Sequence, residues 1–164
     1  MAEVTLRWLP PCTRLSLRCG VPLLAPLGAA FGVPLPTAPL AGAAAGDRAA
    51  LRLGPDEWLL LAEAGADLLA VLEAARAGAP ASIVDISDRQ HAIEASGPAA
   101  AVLLNEGCPL DLDEAAFPAG TCTRTLFGRI EILLWRPAPA HWRIEVGRSF
   151  IGSLWDHLAE VAAD

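Results

Sequence analysis

Two tetrapeptides of one form, Gly32-Val33-Pro34-Leu35 and Gly107-Cys108-Pro109-Leu110, each close a stretch of helical spacing, and a similar order of periodicities surrounds both. In the first half, Arg14-Leu15-Ser16-Leu17-Arg18-Cys19 alternates polar and apolar side chains, as a strand with one buried face does. Gly20 stops it. A helical stretch then runs from Leu23 to Phe31, and Gly32 can take the left-handed capping conformation while Pro34 blocks continuation. After a loop-like passage to Gly46, the apolar runs Ala49–Leu53 and Trp58–Ala62 flank Gly54-Pro55-Asp56-Glu57, whose proline suits a β-turn, so a hairpin is predicted. Leu68, Leu69, Leu72 and Ala75 follow at helical spacing until Gly78 and Pro80.

The second half opens with the strand Ile83–Ser87 and continues with Gln90–Ser96, where His91, Ile93 and Ala95 share a face. Gly97-Pro98 starts a helix, strands are predicted over Thr121–Phe127, Ile130–Trp135 and Trp142–Val146, and Ser149 is placed to cap a last helix carrying Leu154, Leu158 and Val161. The expected fold class is therefore α+β: internally duplicated β-α-β-β-α halves, the second with an extra strand, with antiparallel-rich sheets and helices packed on them.

A chain of 164 residues buries roughly 70% of the surface its unfolded form exposes, enough for one domain spanning 1–164, with half-repeats at about 14–80 and 81–164. Seven of the 14 prolines precede residue 40, so residues 1–13 are expected to form an irregular arm suited to wrapping a partner. The net charge of -7, without a basic cluster, would repel a phosphate backbone, so nucleic acid is excluded as a partner. All 12 basic residues are arginine, a choice that suits buried ion pairs and equally follows from an alanine-rich composition. Cys12, Cys19, Cys108 and Cys122 contain no C-x-x-C pair and fit reduced thiols in a cytoplasmic protein. Val21–Pro36 is apolar and follows Arg7, Arg14 and Arg18, yet Glu3 and four interrupting prolines fit a leader poorly. No stretch reaches the ~20 uninterrupted apolar residues of a membrane helix, so no membrane partner is expected.

Chemistry-bearing motifs are incomplete. A dinucleotide site needs G-x-G-x-x-G after a strand, and no such run occurs. In Gly42-Ala43-Ala44-Ala45-Gly46 the residues that would meet phosphate and metal are replaced by Asp47 and Arg48, leaving a flexible linker as the expectation. The four cysteines and three histidines lack zinc spacing, and Asp111, Asp113 and Glu114 lack the glycine and distal glutamate of a calcium loop. Asp156 and His157 point about 100° apart on a helix and cannot form a local dyad. Catalytic, cofactor-binding and metal residues are thus expected to be none.

Four segments carry a family resemblance: Leu53-Gly54-Pro55-Asp56-Glu57-Trp58-Leu59-Leu60-Leu61, Val84-Asp85-Ile86-Ser87-Asp88-Arg89-Gln90, Cys108-Pro109-Leu110-Asp111-Leu112 and Cys122-Thr123-Arg124-Thr125-Leu126. With Trp142 to Trp155, centred on Arg148-Ser149-Phe150, they resemble the γ subunit of heterotetrameric sarcosine oxidase from about Arg14 to the C-terminus. Val84-Asp85-Ile86-Ser87 and Ser96-Gly97-Pro98-Ala99-Ala100 are similar, over a shorter span, to the folate-binding aminomethyltransferase fold of the glycine-cleavage T protein. The first resemblance implies partner subunits α, β and δ, with FAD, FMN, NAD and tetrahydrofolate held in the partners and none by this chain. It also implies that the complex oxidatively demethylates sarcosine to glycine and hydrogen peroxide and passes a one-carbon unit to tetrahydrofolate, while the γ subunit has no assigned catalytic residue. The aminomethyltransferases hold folate with an acidic residue; Asp85 is the nearest acidic candidate, and the end of a strand more commonly uses Asp for a turn.

Trp58 and Trp142 are expected in hairpin cores, whereas Trp8 lies beside Leu9-Pro10-Pro11, where an interface role is favoured. Arg89, Arg124, Arg148 and Phe150 lie within the resembling motifs and complete the set of expected interface residues. Two rivals to the subunit role stay open: a stand-alone folate-dependent, aminomethyltransferase-like one-carbon enzyme, and a small-molecule binding domain.

Overall fold

The alternating and helical segments become ten strands and four α-helices among the described residues, 3–163, of a computed structural model. Residues 1, 2 and 164, at the ends of the expected arm and domain, lie outside the described residues. In chain order the first elements are β1 (Thr5–Trp8), β2 (Thr13–Cys19), α1 (Leu24–Phe31), β3 (Gly42–Ala45), β4 (Arg48–Gly54), β5 (Glu57–Ala62), α2 (Leu68–Ala75) and β6 (Ala81–Asp85). They are followed by β7 (Gln90–Ser96), α3 (Ala100–Asn105), β8 (Cys122–Phe127), β9 (Ile130–Ala138), β10 (His141–Gly147) and α4 (Ile151–Ala163). The chain gathers into two compact units, one built from Pro11–Ser87 and the other from the chain up to Pro10 together with the chain from Asp88 onward.

In the Pro11–Ser87 unit the sheet order is β3-β4-β5-β2-β6, every neighbouring pair antiparallel. Alternation along β2 turns Leu15 and Leu17 toward Leu27 and Phe31 of α1 and Leu72 of α2, all at most 1% exposed. Burying each such side chain stabilises the unit by roughly 1.5–3 kcal/mol. Gly32 ends α1 as expected, with φ 89° and its N–H donating to the Gly28 carbonyl at 2.9 Å.

In the other unit the order is β8-β9-β10-β7-β1, again antiparallel throughout. Its core joins Ile93 of β7, Ile144 of β10 and Leu134 of β9 to Leu104 of α3 and Leu154 and Leu158 of α4, each fully buried. The two sheets share one plan, with β2, β3, β4 and β5 corresponding to β7, β8, β9 and β10, each followed by its helices in the same order, plus one outer strand.

The duplication is therefore β-α-β-β-β-α in both halves, which corrects the expected order in three places. Gly42–Ala45, expected as a linker, is the edge strand β3, with Ala43 facing Ala50. Its run of small residues carries no alternation, and it is the backbone ladder to β4 that makes it a strand. The strand expected to open the second half is β6, which belongs to the first sheet through the pairing of Ile83 with Leu17. Residues expected as an irregular arm include β1, which pairs with β7 from Thr5↔Ser96 to Trp8↔Ile93 before Pro10 and Pro11 end the ladder. Gly97 makes room for that strand: its φ is 116°, and a Cβ there would lie 2.2 Å from the Glu3 carbonyl oxygen. The last helix also starts one residue later than expected. Phe150, whose carbonyl accepts from Leu154 N–H at 2.9 Å, takes the capping position assigned to Ser149.

The repeat extends to side chains. Trp58 and Trp142 are 2% and 1% exposed, as expected of hairpin cores, and each is covered by an arginine of the preceding strand. Arg52 sits over Trp58 and donates to the carbonyls of Thr37, Gly54 and Pro55. Arg136, 4.8 Å from the Trp142 ring centroid, donates to Phe117 at 2.7 Å and twice to Pro139, at 2.6 and 3.0 Å. Each guanidinium so ties a hairpin turn to the long loop before the hairpin, satisfying carbonyls that no ladder reaches.

Candidate functional site

The polar candidates are taken up by local structure. Asp85 Oδ1 accepts from the Ser87 N–H at 2.8 Å and the Ser87 hydroxyl at 2.6 Å, and these bonds hold its carboxyl below the usual range. Ser87 Oγ in turn accepts from Arg14 N–H at 3.0 Å, so Asp85 closes a turn that fastens β6 to β2. Asp111 and Asp113 each accept from the N–H two residues on, at 3.0 and 2.9 Å, and serve as turn acceptors too. The four cysteines stand outside any disulfide and three of them are buried; burial, and secondarily Asp56, pushes the Cys19 thiol up, away from nucleophilic use. Among the described residues no group of three His, Cys, Asp or Glu side chains converges on a metal position. His157 sets its ring against Phe127, 5.0 Å between centroids, while His91 is half-buried beside Trp8 on the β7 face it shares with buried Ile93 and Ala95.

What remains is surface. Trp8 is 44% exposed at the end of β1, its ring centroid 6.2 Å from His91 and 5.8 Å from Trp155. Gly147 faces Gln90 at the end of the β10–β7 ladder, and one step further the Arg148 N–H donates to the Arg89 carbonyl at 3.0 Å. Phe150, 55% exposed, follows immediately. Arg89, Arg148 and Phe150 thus gather at one end of one sheet, while Trp8, in register with Ile93, lies four residues along β7 from Arg89. Arg124 does not join them: it lies on β8, whose row runs through Leu133 and Glu145 before reaching Ala92 of β7, three strand spacings or about 14 Å away.

A second surface lies on the helices of the Pro11–Ser87 unit. Every residue of α1, Leu-Ala-Pro-Leu-Gly-Ala-Ala-Phe, is apolar, and α2 has Glu73 as its single polar side chain. Leu27, Gly28 and Phe31 of α1 and Leu68 and Leu72 of α2 face the core, leaving Ala25, Pro26 and Ala29 and then Leu69, Ala70 and Val71 on the outer side, with Val21 just before α1. Val21 is 79% exposed and Val71 46%. An open groove of about 590 Å³ runs between α1 and the Gly32–Leu35 segment, lined by Leu24, Ala25, Gly28, Ala29 and Pro34. Surface helices ordinarily carry a polar outer stripe, and a helix apolar all round is one that becomes buried. The uninterrupted apolar composition of residues 24–31 was the sequence signal for this face.

The profile of the sarcosine oxidase, gamma subunit family matches residues 19–164. Sarcosine oxidase subunit gamma of Corynebacterium sp. (strain U-96) is 41% identical over 169 residues, covering 98% of this chain and 82% of its own length. The Arthrobacter sp. subunit gamma is 41% identical over 122 residues, with 73% of this chain and 60% of the relative covered. Among solved structures, a chain of the heterotetrameric sarcosine oxidase from Corynebacterium sp. U-96 superimposes with TM-score 0.91 at 37% identity, over 98% of this chain and 84% of that one. The glycine cleavage system aminomethyltransferase T of Bartonella henselae shares the fold, with TM-score 0.70 at 16% identity over 96% of this chain and 45% of its own. The expected α+β, aminomethyltransferase-like fold is borne out.

Proposed function

Because the chain belongs to the sarcosine oxidase gamma subunit family, we propose that it works as the non-catalytic gamma subunit of a heterotetrameric sarcosine oxidase, docked on larger subunits through the outer faces of α1 and α2. The observation that carries this reading is the pair of helices with apolar outer faces left in contact with water, a surface that costs free energy in an isolated chain and is relieved when a partner covers it. On this reading the partners are the α, β and δ subunits, and FAD, FMN, NAD and tetrahydrofolate bind in them. The complex oxidises sarcosine to glycine with release of hydrogen peroxide, and the one-carbon unit passes to tetrahydrofolate. A cytoplasmic setting accords with four cysteines that stand outside any disulfide.

The test is to express a tagged copy of the chain in its native host and recover it gently. The expected result is a yellow complex with larger subunits that produces peroxide when sarcosine is added. A colourless chain eluting alone and staying soluble would refute the subunit reading. If tetrahydrofolate then raised its melting temperature, the stand-alone one-carbon reading would take its place.

A further inference from the structure

We propose that Arg89 and Arg148 form a two-pronged receptor for a carboxylate side chain of a partner subunit; this inference rests on the subunit reading above. The backbone brings the two arginines together. With Gly147 opposite Gln90 and the Arg148 N–H on the Arg89 carbonyl at 3.0 Å, the next opposed pair beyond the ladder is Arg148 with Arg89. Like charges directly opposite one another destabilise a sheet end, and both side chains are exposed.

Most of the remaining arginines are partnered within the fold; Arg129, exposed at the β8–β9 turn, also lacks a carboxylate or carbonyl partner among the described residues, but no second arginine stands opposite it. Arg7, Arg18, Arg48, Arg76 and Arg143 each meet an Asp or Glu, and Arg14, Arg52 and Arg136 donate to carbonyls. Arg89 and Arg148 have neither kind of partner among the described residues, although the chain holds 19 acidic residues and Asp88 adjoins Arg89 in sequence. A planar guanidinium offers a fork that matches a carboxylate, and two such forks side by side leave a positive site on a chain of net charge -7.

The surroundings select the source of that carboxylate. Phe150, 55% exposed, lies two residues beyond Arg148, with its Cδ2 3.6 Å from where a Gly147 Cβ would stand. A free phosphate would neutralise the arginines and leave this ring wet. A protein segment with an acidic side chain among apolar ones covers both, and the excluded water strengthens the charge-assisted bonds. The occupant is therefore an acidic, partly apolar segment of a larger subunit.

The experiment co-expresses wild-type chain and a differently tagged R89E/R148E chain with the partner subunits and measures the ratio of the two in the purified complex. The expected result is about thirtyfold under-representation of the variant, the loss associated with breaking a desolvated charge pair, and a smaller gap when assembly occurs in high salt. The companion R89Q/R148Q chain, free of the like-charge contact, is expected to melt no lower than wild type in isolation. Equal incorporation of R89E/R148E would overturn the proposal and leave two solvated charges. Equal incorporation with a melting temperature raised by inorganic phosphate in wild type alone would overturn it in favour of a small-anion site. Failure of the wild-type chain to enter any complex would instead sink the subunit reading beneath it.

Discussion

Arg52 and Arg136 occupy matching places in the two repeats, and their environments differ enough to separate them energetically. Arg136 is 5% exposed, so Arg136→Ala removes its carbonyl bonds and a close ring contact while leaving the buried Phe117 oxygen short of a donor inside the fold. The expected loss is about 3 kcal/mol in urea unfolding. Arg52 is half-buried, and the carbonyls of Thr37 and Pro55 can turn to water, so Arg52→Ala is expected to cost about 1 kcal/mol. Equal losses at the two sites would show that ring stacking, rather than satisfaction of buried carbonyls, sets the value of the contact. The two tryptophans differ in the same sense. Trp58 Nε1 donates to Pro36 at 3.0 Å, whereas Trp142 Nε1 is buried without an acceptor among the described residues.

At the scale of elements, the outer strands β1 and β6 occupy matching edges although one precedes its unit's other strands in the chain and the other follows them. β1 is held by four register pairs and by the space that Gly97 leaves beside Glu3. A Gly97→Ala substitution puts a methyl group on that carbonyl and asks an L-residue to adopt a φ of 116°. It is expected to cost about 1–3 kcal/mol. Amide exchange at Arg7 and Leu9, whose N–H groups point toward β7, should then rise ahead of exchange in β9 and β10, because the edge strand opens before the core. Uniform loss of protection across the sheet would show instead that β1 is part of the cooperative core. The G-x-P-L repeat also has two causes. Gly32 is needed for a left-handed cap, whereas Gly107, which lacks positive φ, is needed because a Cβ there would come within 2.7 Å of the buried Phe127 ring.

For the whole molecule, the outer faces of α1 and α2 set solubility against assembly. Val71 is 46% exposed and makes no part of the Pro11–Ser87 core, so Val71→Glu is expected to change the stability of the isolated chain by no more than about 0.5 kcal/mol. The same change should reduce self-association of the isolated chain and deplete it from the complex, since a carboxylate buried against an apolar partner lacks a counter-charge. Light scattering of the isolated chain and recovery of the complex measure the two effects. Unchanged assembly would move the docking surface away from these helices.

Much of the architecture was legible in local periodicity. The alternation in Arg14–Cys19, the hairpin around Gly54-Pro55 and the helical spacing of Leu154, Leu158 and Val161 each imply one buried face, and burying that face is a local demand. Of the residues expected at an interface, Arg89 and Arg148 stand opposite each other just beyond the β10–β7 ladder with Phe150 close by, Trp8 lies on β1 opposite Ile93, and Arg124, from the same family motifs, lies on the far edge strand. Periodicity along a chain carries no information about which strand pairs with which, so sequence alone missed that β6 joins the first sheet and that β1 reaches across to β7. Gly42–Ala45 was illegible for a related reason, since small side chains leave no pattern and its strand conformation comes from the ladder with β4. The amino-acid sequence by itself determined the kinds of elements, their order and the apolar make-up of the helices; strand partnership, the opposition of Arg89 to Arg148 and the faces left to water were decided by tertiary structure, because hydrogen-bond ladders and burial join residues that are distant in the chain.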